Sequence, residues 1–424
     1  MYWKINTNDS GPAQAGAGAC HCKMTQRYTW GVKKVAWFCP IVLLGLGQAF
    51  FSSPQPQSSF REACGVADPA YIRTANETGG IPMFLQRSEA GKAFHLVRES
   101  TRNNISTVFW ATGSLERRAE VFEIPVDSLT QRITFAFSFG AEGDNVTIVA
   151  PSRGAITQNS SDTEITELRC GRIVTVASPD IGNWHIELTG KGRFWVEAQA
   201  QSDIHFVDLE FVRAGGRPGH EGWFRIDGQP IAGRPATIRA LLSSAEARTV
   251  QFYLAGERGE TIRTLQLQPL NSTEEFFGTV DLPGMPFRIA VKGLDSNGRQ
   301  YQRFFAHLFH PEGVEVSWNR TFDELPAGSS RQAEFTVRNT GYSRTFKLTV
   351  TDTRHFVSKV EPTEFTLGPD QLETVRVALT VPAGTSQAIG DDVIVVATST
   401  AGPATSNSSV AHFSVTVPAS NPSR

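Results

Sequence analysis

Surplus charge of either sign is missing from this sequence. Its 424 residues carry 40 Lys and Arg against 42 Asp and Glu, a formal net charge of -2. Without a basic excess no surface is set to follow a phosphate backbone, so nucleic acid is not an expected partner. Cysteine is scarce too, at five residues. That is too few for a disulfide framework, and a chain this long does not need one, because about two to four domains of roughly 100 residues or more can each bury a core. Cys20, Cys22 and Cys39 lie in or before the one strongly apolar run, leaving Cys64 and Cys170 downstream.

Catalytic signatures are absent as well. The sequence has no G-x-S-x-G elbow, Walker loop, Rossmann glycine fingerprint or H-E-x-x-H. This removes the motif-bearing enzyme classes only, since a triad is defined by geometry rather than by sequence order. The expectation is a non-enzyme with no catalytic residue, no metal and no cofactor. The nine histidines are dispersed, and the spacing of His307 and His310 would put them on opposite faces of a strand. Asp370, Asp391 and Asp392 carry oxygens of the kind calcium takes, but nothing in their spacing approaches an EF-hand loop, and a solvated turn is expected.

Only one long apolar run is present. Val35 to Phe51 (VAWFCPIVLLGLGQAFF) follows Lys33 and Lys34, contains Pro40, Gly45, Gly47 and Gln48, and is slightly short for a membrane span. Gly47-Gln48-Ala49 supplies a small-x-small exit, so residues 35–51 are expected to be a signal peptide; the 34 residues ahead of them make an uncleaved signal-anchor, or a mis-predicted first exon, the competing account. A membrane is a partner only in the signal-anchor case. Residues 1–34, with AQAGAGA and no periodicity, are expected to be a disordered lead. Residues 52–61 form a Pro/Ser/Gln linker. With the run removed, Cys64 and Cys170 are an even pair that an oxidising compartment could join; two unpaired buried thiols are the alternative.

Eight of the fourteen asparagines stand in N-x-S/T sequons: Asn8, Asn76, Asn104, Asn145, Asn159, Asn271, Asn319 and Asn407. With Ser and Thr near one residue in six, chance gives about two. The excess points to passage through a glycosylating lumen.

Strand signals dominate what is there. From Tyr71 to Val97 the pattern is mixed: YIRTANETGG ends a helix at a glycine pair, PMFLQ is a short strand and AFHLVRESTRN a short amphipathic helix. After Ala119 the period becomes two. VFEIPV, ITFAFSF, VTIVA, RIVTVA, WHIELTG and FWVEAQA follow at roughly ten-residue spacing, separated by Gly, Pro, Asp and Asn clusters. DIHFVDLEFV opens a second set and VEVSW a third. The expected fold class is all-β, in tandem β-sandwiches. Among the aromatics, Trp184 starts an apolar alternation and is expected in a core. Trp195 on a strand and Trp223 in a loop are the candidate ligand-contact rings.

Three stretches together resemble a known family. PDIGNWHIELTGKGRFWVEAQ (Pro179 to Gln199), with ITFAFSF and NVTIVAPSRG (Asn145 to Gly154), resembles the galactose-binding-like sandwich that follows the A domain in hemicentins and von Willebrand factor A domain-containing protein 7. PFRIAVKGLDSNGRQYQR (Pro286 to Arg303), preceded by QPIAGRPATIRALL (Gln229 to Leu242), is similar to the Ig-like domain that comes next. CGVADPAYIRTANETGGIPMFL (Cys64 to Leu85) looks like the closing strand and helix of the A domain itself. The D-x-S-x-S motif that holds the A-domain metal stands nowhere upstream, so metal-dependent adhesion is not implied. The resemblance covers residues 62 to 310; residues 313–419 look like generic Ig or fibronectin-like modules.

The resemblance implies a small α/β remnant of an A domain over 62–118, a galactose-binding-like sandwich over 119–201 and an Ig-like sandwich over 202–312; the strand pattern beyond it is expected to form an Ig/fibronectin-like sandwich over 313–419, followed by a tail, 420–424. The functional expectation is a secreted, glycosylated, structural or adhesion protein with extracellular protein or matrix partners. A carbohydrate-binding accessory region, which would take glycans, and a truncated fragment of a metal-dependent adhesion protein are the alternatives.

Overall fold

A computed structural model describes the backbone of Trp3–Ile5, Cys64, and residues 67–416 apart from 217, 218, 220, 244, 245, 271–273 and 403. The expected signal or anchor, linker and tail lie outside the described residues. So does the expected disordered lead, except that Trp3–Ile5 forms a short strand parallel to Met83–Leu85. Among the described residues, regular structure is otherwise strand, with two short α-helices and one 3-10 turn, and Ig-like β-sandwiches are the architecture. No described helix is long and apolar enough to cross a membrane. The chain divides into two units: Met1–Ile105, Phe109–Ile124 and Thr130–Gln201; and Ser106–Val108, Pro125–Leu129 and Ser202–Arg424.

In the first unit the run ITFAFSF becomes the strand Arg132–Phe139. It is the middle one of five adjacent sheet strands ordered Ile105–Ser114, Arg193–Gln201, Arg132–Phe139, Gly171–Ala177, Thr163–Leu168. Seven of its eight residues are buried, because both faces of the sheet are covered; a doubly covered strand shows a continuous apolar run instead of alternation. One face meets a second sheet, Glu120–Val126, Gly182–Thr189, Asn145–Ala150, Gly154–Ala155. There the rings of Phe135 and Trp184 lie 5.5 Å apart. The strand Gly182–Thr189 does alternate, burying Trp184, Ile186 and Leu188, as a sheet with one wet face requires.

The other face is covered by residues 69–100. Asp68 caps the helix Pro69–Glu77 by accepting from the Ala70 amide at 2.9 Å, and Pro69 fills the first helical position, where no amide hydrogen is needed. The strand Met83–Leu85 and the helix Phe94–Ser100 follow. Ile81, Met83, Leu85 and Leu96 share one core with Trp110, Ala136, Ile173 and Trp195. The segment expected as a separate α/β remnant therefore has no core of its own and is a third layer on the sandwich. The strand Ile105–Ser114, which falls before the expected boundary at 119, belongs to that sandwich's larger sheet. It is nearly all buried between residues 106 and 112, so its period of two is hidden. The bonds that fasten the layer include a Cys64–Cys170 disulfide and Glu89, which accepts from the Arg169 amide at 2.7 Å as well as from the Gln86 amide within the layer at 3.0 Å.

The second unit holds two sandwiches with separate cores. In the first, Gly222–Arg225, His205–Gly215, Pro235–Ser243, Glu275–Asp281 and Gln268–Pro269 form one sheet. Thr261–Thr264, Gln251–Ala255, Arg288–Leu294 and Gln300–Phe304 form the other side. Phe211, Ile238, Leu254, Phe276, Phe287 and Ile289 fill the space between. In the second, Val314–Trp318, Ser330–Asn339, Leu372–Thr380 and Val357–Glu361 face Glu324–Pro326, Ser406–Thr416, Gly390–Ser399, Arg344–Asp352 and Glu364–Leu367. TVRVALTVP and DVIVV send alternate residues inward, and Val375, Val377, Val393 and Val395 meet Phe335 and Val337. Each such fully buried side chain contributes about 1.5–3 kcal/mol of transfer free energy.

One ion pair is wholly internal to this unit. Arg303 donates to Asp127 at 2.6 Å with both side chains at 0% exposure. The guanidinium also donates to Ile204 O, Gln302 O and Ser202 Oγ, so the buried charge is compensated on several sides, the condition under which such a pair is tolerated.

Candidate functional site

The two sandwiches of the second unit are joined by a hydrogen-bonded lock built from the turn after strand Gly222–Arg225. Asp227, Gly228, Gln229 and Pro230 form that turn. Asn407, on strand Ser406–Thr416, accepts from the Gln229 amide at 2.8 Å and donates through Nδ2 to Gln229 O and Val314 O, each at 2.9 Å. Asp227 accepts from Ser409 Oγ at 2.9 Å and the Val410 amide at 3.1 Å. Glu312 accepts from Thr405 Oγ1 at 2.6 Å and the Ser406 amide at 3.1 Å. Its own amide donates to Pro230 O at 2.9 Å. An Arg234–Asp370 ion pair adds an outer clasp. The turn needs glycine at 228, because a Cβ there would overlap Asn407 Oδ1 and approach Ser408 O.

Beside the lock lies a cleft of about 510 Å³. Its floor is the outer face of the first sheet: Val212 pairs with Thr237 and Ala214 with Trp223, placing these side chains on one side. Trp223 forms one wall, and Glu315, Arg338 and Asn407 close the other. Trp223 stands on a strand rather than in the expected loop, is 47% exposed, and rests on the ring of Phe277 with centroids 4.7 Å apart. Arg338 and Glu315 are cross-strand partners, yet they form no ion pair among the described residues. The Arg338 Nε is buried without a hydrogen-bond partner there.

The second aromatic candidate is corrected by the fold. Trp195 is 1% exposed and packs against Phe84 in the core under the helical layer, because the sheet it stands on is covered on both faces. Of the sequons, Asn104, Asn145 and Asn159 are exposed, and Asn76 and Asn319 are half-buried. Asn271 and Asn8 lie outside the described residues. Asn407 is 7% exposed with its amide nitrogen engaged twice, so in the folded chain it is a structural residue and no acceptor for sugar. Cys64 and Cys170 are bonded to each other.

The aspartates weighed for calcium are each engaged elsewhere. Asp370 pairs with Arg234, Asp392 with His412, and Asp391 accepts from Thr353 Oγ1 and the Arg354 amide. Among the described residues no group of three His, Cys, Asp or Glu side chains is placed to hold a metal ion. A second cleft, of about 490 Å³, lies in the first unit beside His95. Burial lowers the pKa of that histidine, and its nitrogens lie against Thr166 Oγ1 and Thr175 Oγ1 at 2.8 and 2.9 Å, a satisfied structural arrangement. The lock and the Arg338–Glu315 pair were not anticipated from sequence. The only local signal was the sequon at Asn407, which suggests the opposite role.

No curated protein matches the chain. Among solved structures, a Bacillus licheniformis lipase in its propeptide form matches at 11% identity over 48% of this chain and 43% of that one, TM-score 0.24. Escherichia coli alpha-2-macroglobulin activated by porcine elastase matches at 9% identity over 74% and 33%, TM-score 0.24. A three-Ig structure of titin matches at 11% identity over 74% and 99%, TM-score 0.17. The chain spans less than half the length of the first two, and at these scores the matches assign it no function. A family match falls in the segment whose sequence looked generic, the last sandwich: residues 319–419 match the family described as VWA7 Ig-like domain.

Proposed function

We propose that this chain is an extracellular, non-catalytic structural or adhesion protein whose sandwiches present surfaces to protein or matrix partners. The observation that carries the reading is the lock at Asn407. Two hydrogen bonds between Asn407 and Gln229, two more from Ser409 and Val410 to Asp227, and a glycine that admits no Cβ join two Ig-like sandwiches, which suits a presenter of surfaces better than a chain of independent beads. The Cys64–Cys170 bond and the exposed sequons Asn104, Asn145 and Asn159 support an oxidising, glycosylating compartment. The match to the VWA7 Ig-like domain supports kinship with proteins that carry an A domain, and transcript mapping across the linker 52–61 tests whether an A-domain exon joins this chain at Arg61.

The test is expression of the full chain in secretory animal cells, followed by binding to matrix-coated surfaces. The expected result is protein in the medium whose mass falls on deglycosylation and which adheres to matrix. Protein retained in the cytosol without sugar, or secreted protein with no adhesion to matrix or cells, overturns the reading. A carbohydrate-binding role is the second reading, favoured by one observation: Trp223 is half exposed in a cleft.

A further inference from the structure

We propose that the cleft beside the lock is a saccharide site, in which a neutral sugar ring lies over Trp223 and its hydroxyls are shared between Arg338 and Glu315. The inference rests on the interaction reading and names the chemistry of one surface. Four observations carry it.

The first is the state of the polar wall. Arg338 and Glu315 face each other across adjacent strands, but neither has an ion-pair partner among the described residues, and the buried Nε of Arg338 has no acceptor. A buried donor left unpaired is unfavourable. A ligand that accepts at the guanidinium and donates to the carboxylate completes both, and neighbouring hydroxyls do this because each hydroxyl both donates and accepts.

The second is the aromatic wall. Trp110, Trp184 and Trp195 are all buried, whereas Trp223 is 47% exposed. Its ring is held against Phe277, so the platform is ordered before a ligand arrives and little rotamer freedom is lost on binding. The third is size: about 510 Å³ falls within the range of small-ligand clefts, roughly 300–1,000 Å³.

The fourth is what the cleft disfavours. Its charged side chains are Arg213, Arg234 and Arg338 against Asp227 and Glu315, and Arg234 is matched by Asp370, so no net field selects an anion. The floor is a sheet face whose backbone groups are spent in the ladder between Val212, Thr237 and Thr279. An extended peptide, which gains its affinity by adding to a sheet edge, finds no main-chain partners on that face.

The experiment is binding of the full secreted chain to an array of neutral and acidic glycans, then titration with the best neutral binder. Wild type is expected to bind a neutral glycan. Trp223→Ala and Arg338→Met are each expected to weaken it at least tenfold, and Tyr342→Ala, at an 83% exposed position outside the cleft, to leave it unchanged. Unaltered melting temperatures exclude misfolding, and Trp223→Ala, at an exposed position, decides the matter if Arg338→Met does not fold. Silence of wild type on neutral glycans, binding that survives both substitutions, or preference for an acidic glycan or an acidic peptide overturns the site. Matrix adhesion that persists in Trp223→Ala alongside a silent array removes this inference and leaves the interaction reading standing.

Discussion

The side-chain oxygen of Asn407 fills the place where a Cβ on residue 228 would stand, so Asn407 keeps its position only while residue 228 is glycine. The same oxygen accepts from the Gln229 amide, and the nitrogen beside it donates to Gln229 O and Val314 O. One asparagine thereby ties the turn of one sandwich to the first strand of the next.

Both members of the pair should therefore be sensitive. Gly228→Ala is expected to destabilise the chain by about 1–3 kcal/mol through overpacking. Asn407→Ala should cost about 1–3 kcal/mol, because the Gln229 amide and two carbonyls lose their partner. Urea midpoints of the full chain measure both, and a midpoint unmoved in either variant contradicts the lock. Glycopeptide mapping should find Asn407 bare in protein whose Asn104, Asn145 and Asn159 carry sugar.

Removing one half of the internal ion pair should be more damaging than removing both. Arg303→Met leaves Asp127 charged and buried, at an expected cost of about 3–5 kcal/mol. The double variant Asp127→Leu, Arg303→Met should recover part of that loss. A double variant no more stable than Arg303→Met, by thermal or urea unfolding, would show that the charge is not the source of the cost.

Cys64 and Cys170 are 106 residues apart in sequence. In the chain-entropy account a loop of that length stabilises the folded state by about 4–5 kcal/mol. Cys64→Ser should lower the melting temperature of the first unit and speed proteolysis within residues 69–100, the layer that the bond pins. Thiol labelling of unreduced, denatured protein should leave both cysteines unmodified.

Asp295 gives the acid limb of stability a predictable slope. Burial alone would raise its pKa, but hydrogen bonds from Ser128, Arg299 and Asn297 outweigh burial and lower it. A lowered folded pKa means the unfolded chain binds the proton more readily. The stabilisation is complete above the unfolded value, about 3.9, and is lost as pH falls through the folded one. Asp295→Asn should flatten the dependence of the melting temperature on pH in that range; an unchanged profile would show that this carboxylate does not set it.

Asp391 works in the other direction. Burial and the nearby Asp352 raise its pKa, and its Oδ2 has no hydrogen-bond partner among the described residues. The folded state keeps the proton after the unfolded state has released it, so stability falls as pH rises from the unfolded value through the folded one. Asp391→Asn should remove that fall, measured as melting temperature against pH.

The strands that alternate were readable one residue at a time. WHIELTG buries Trp184, Ile186 and Leu188, and TVRVALTVP buries Val375, Val377 and Leu379, as a period of two requires. The helix Pro69–Glu77 was legible from its glycine stop, and its start from Asp68 and Pro69 became clear in the fold. ISTVFWATGS is not legible as a strand, because one covered on both faces has no polar side to mark it. The same double cover hides Trp195, which a strand pattern alone would leave half exposed.

By itself the sequence determined the class of structure: its two-residue rhythm commits the alternating strands to one dry face, and its balanced charge and missing motifs withhold a phosphate track and the familiar catalytic loops. Only tertiary structure decided which polar residues do something. Asn407 lies 178 residues from Gln229, and Glu315 lies across a strand pair from Arg338. Hydrogen bonds between strands depend on register and on how sheets face each other, and neither is written in the local spacing of residues.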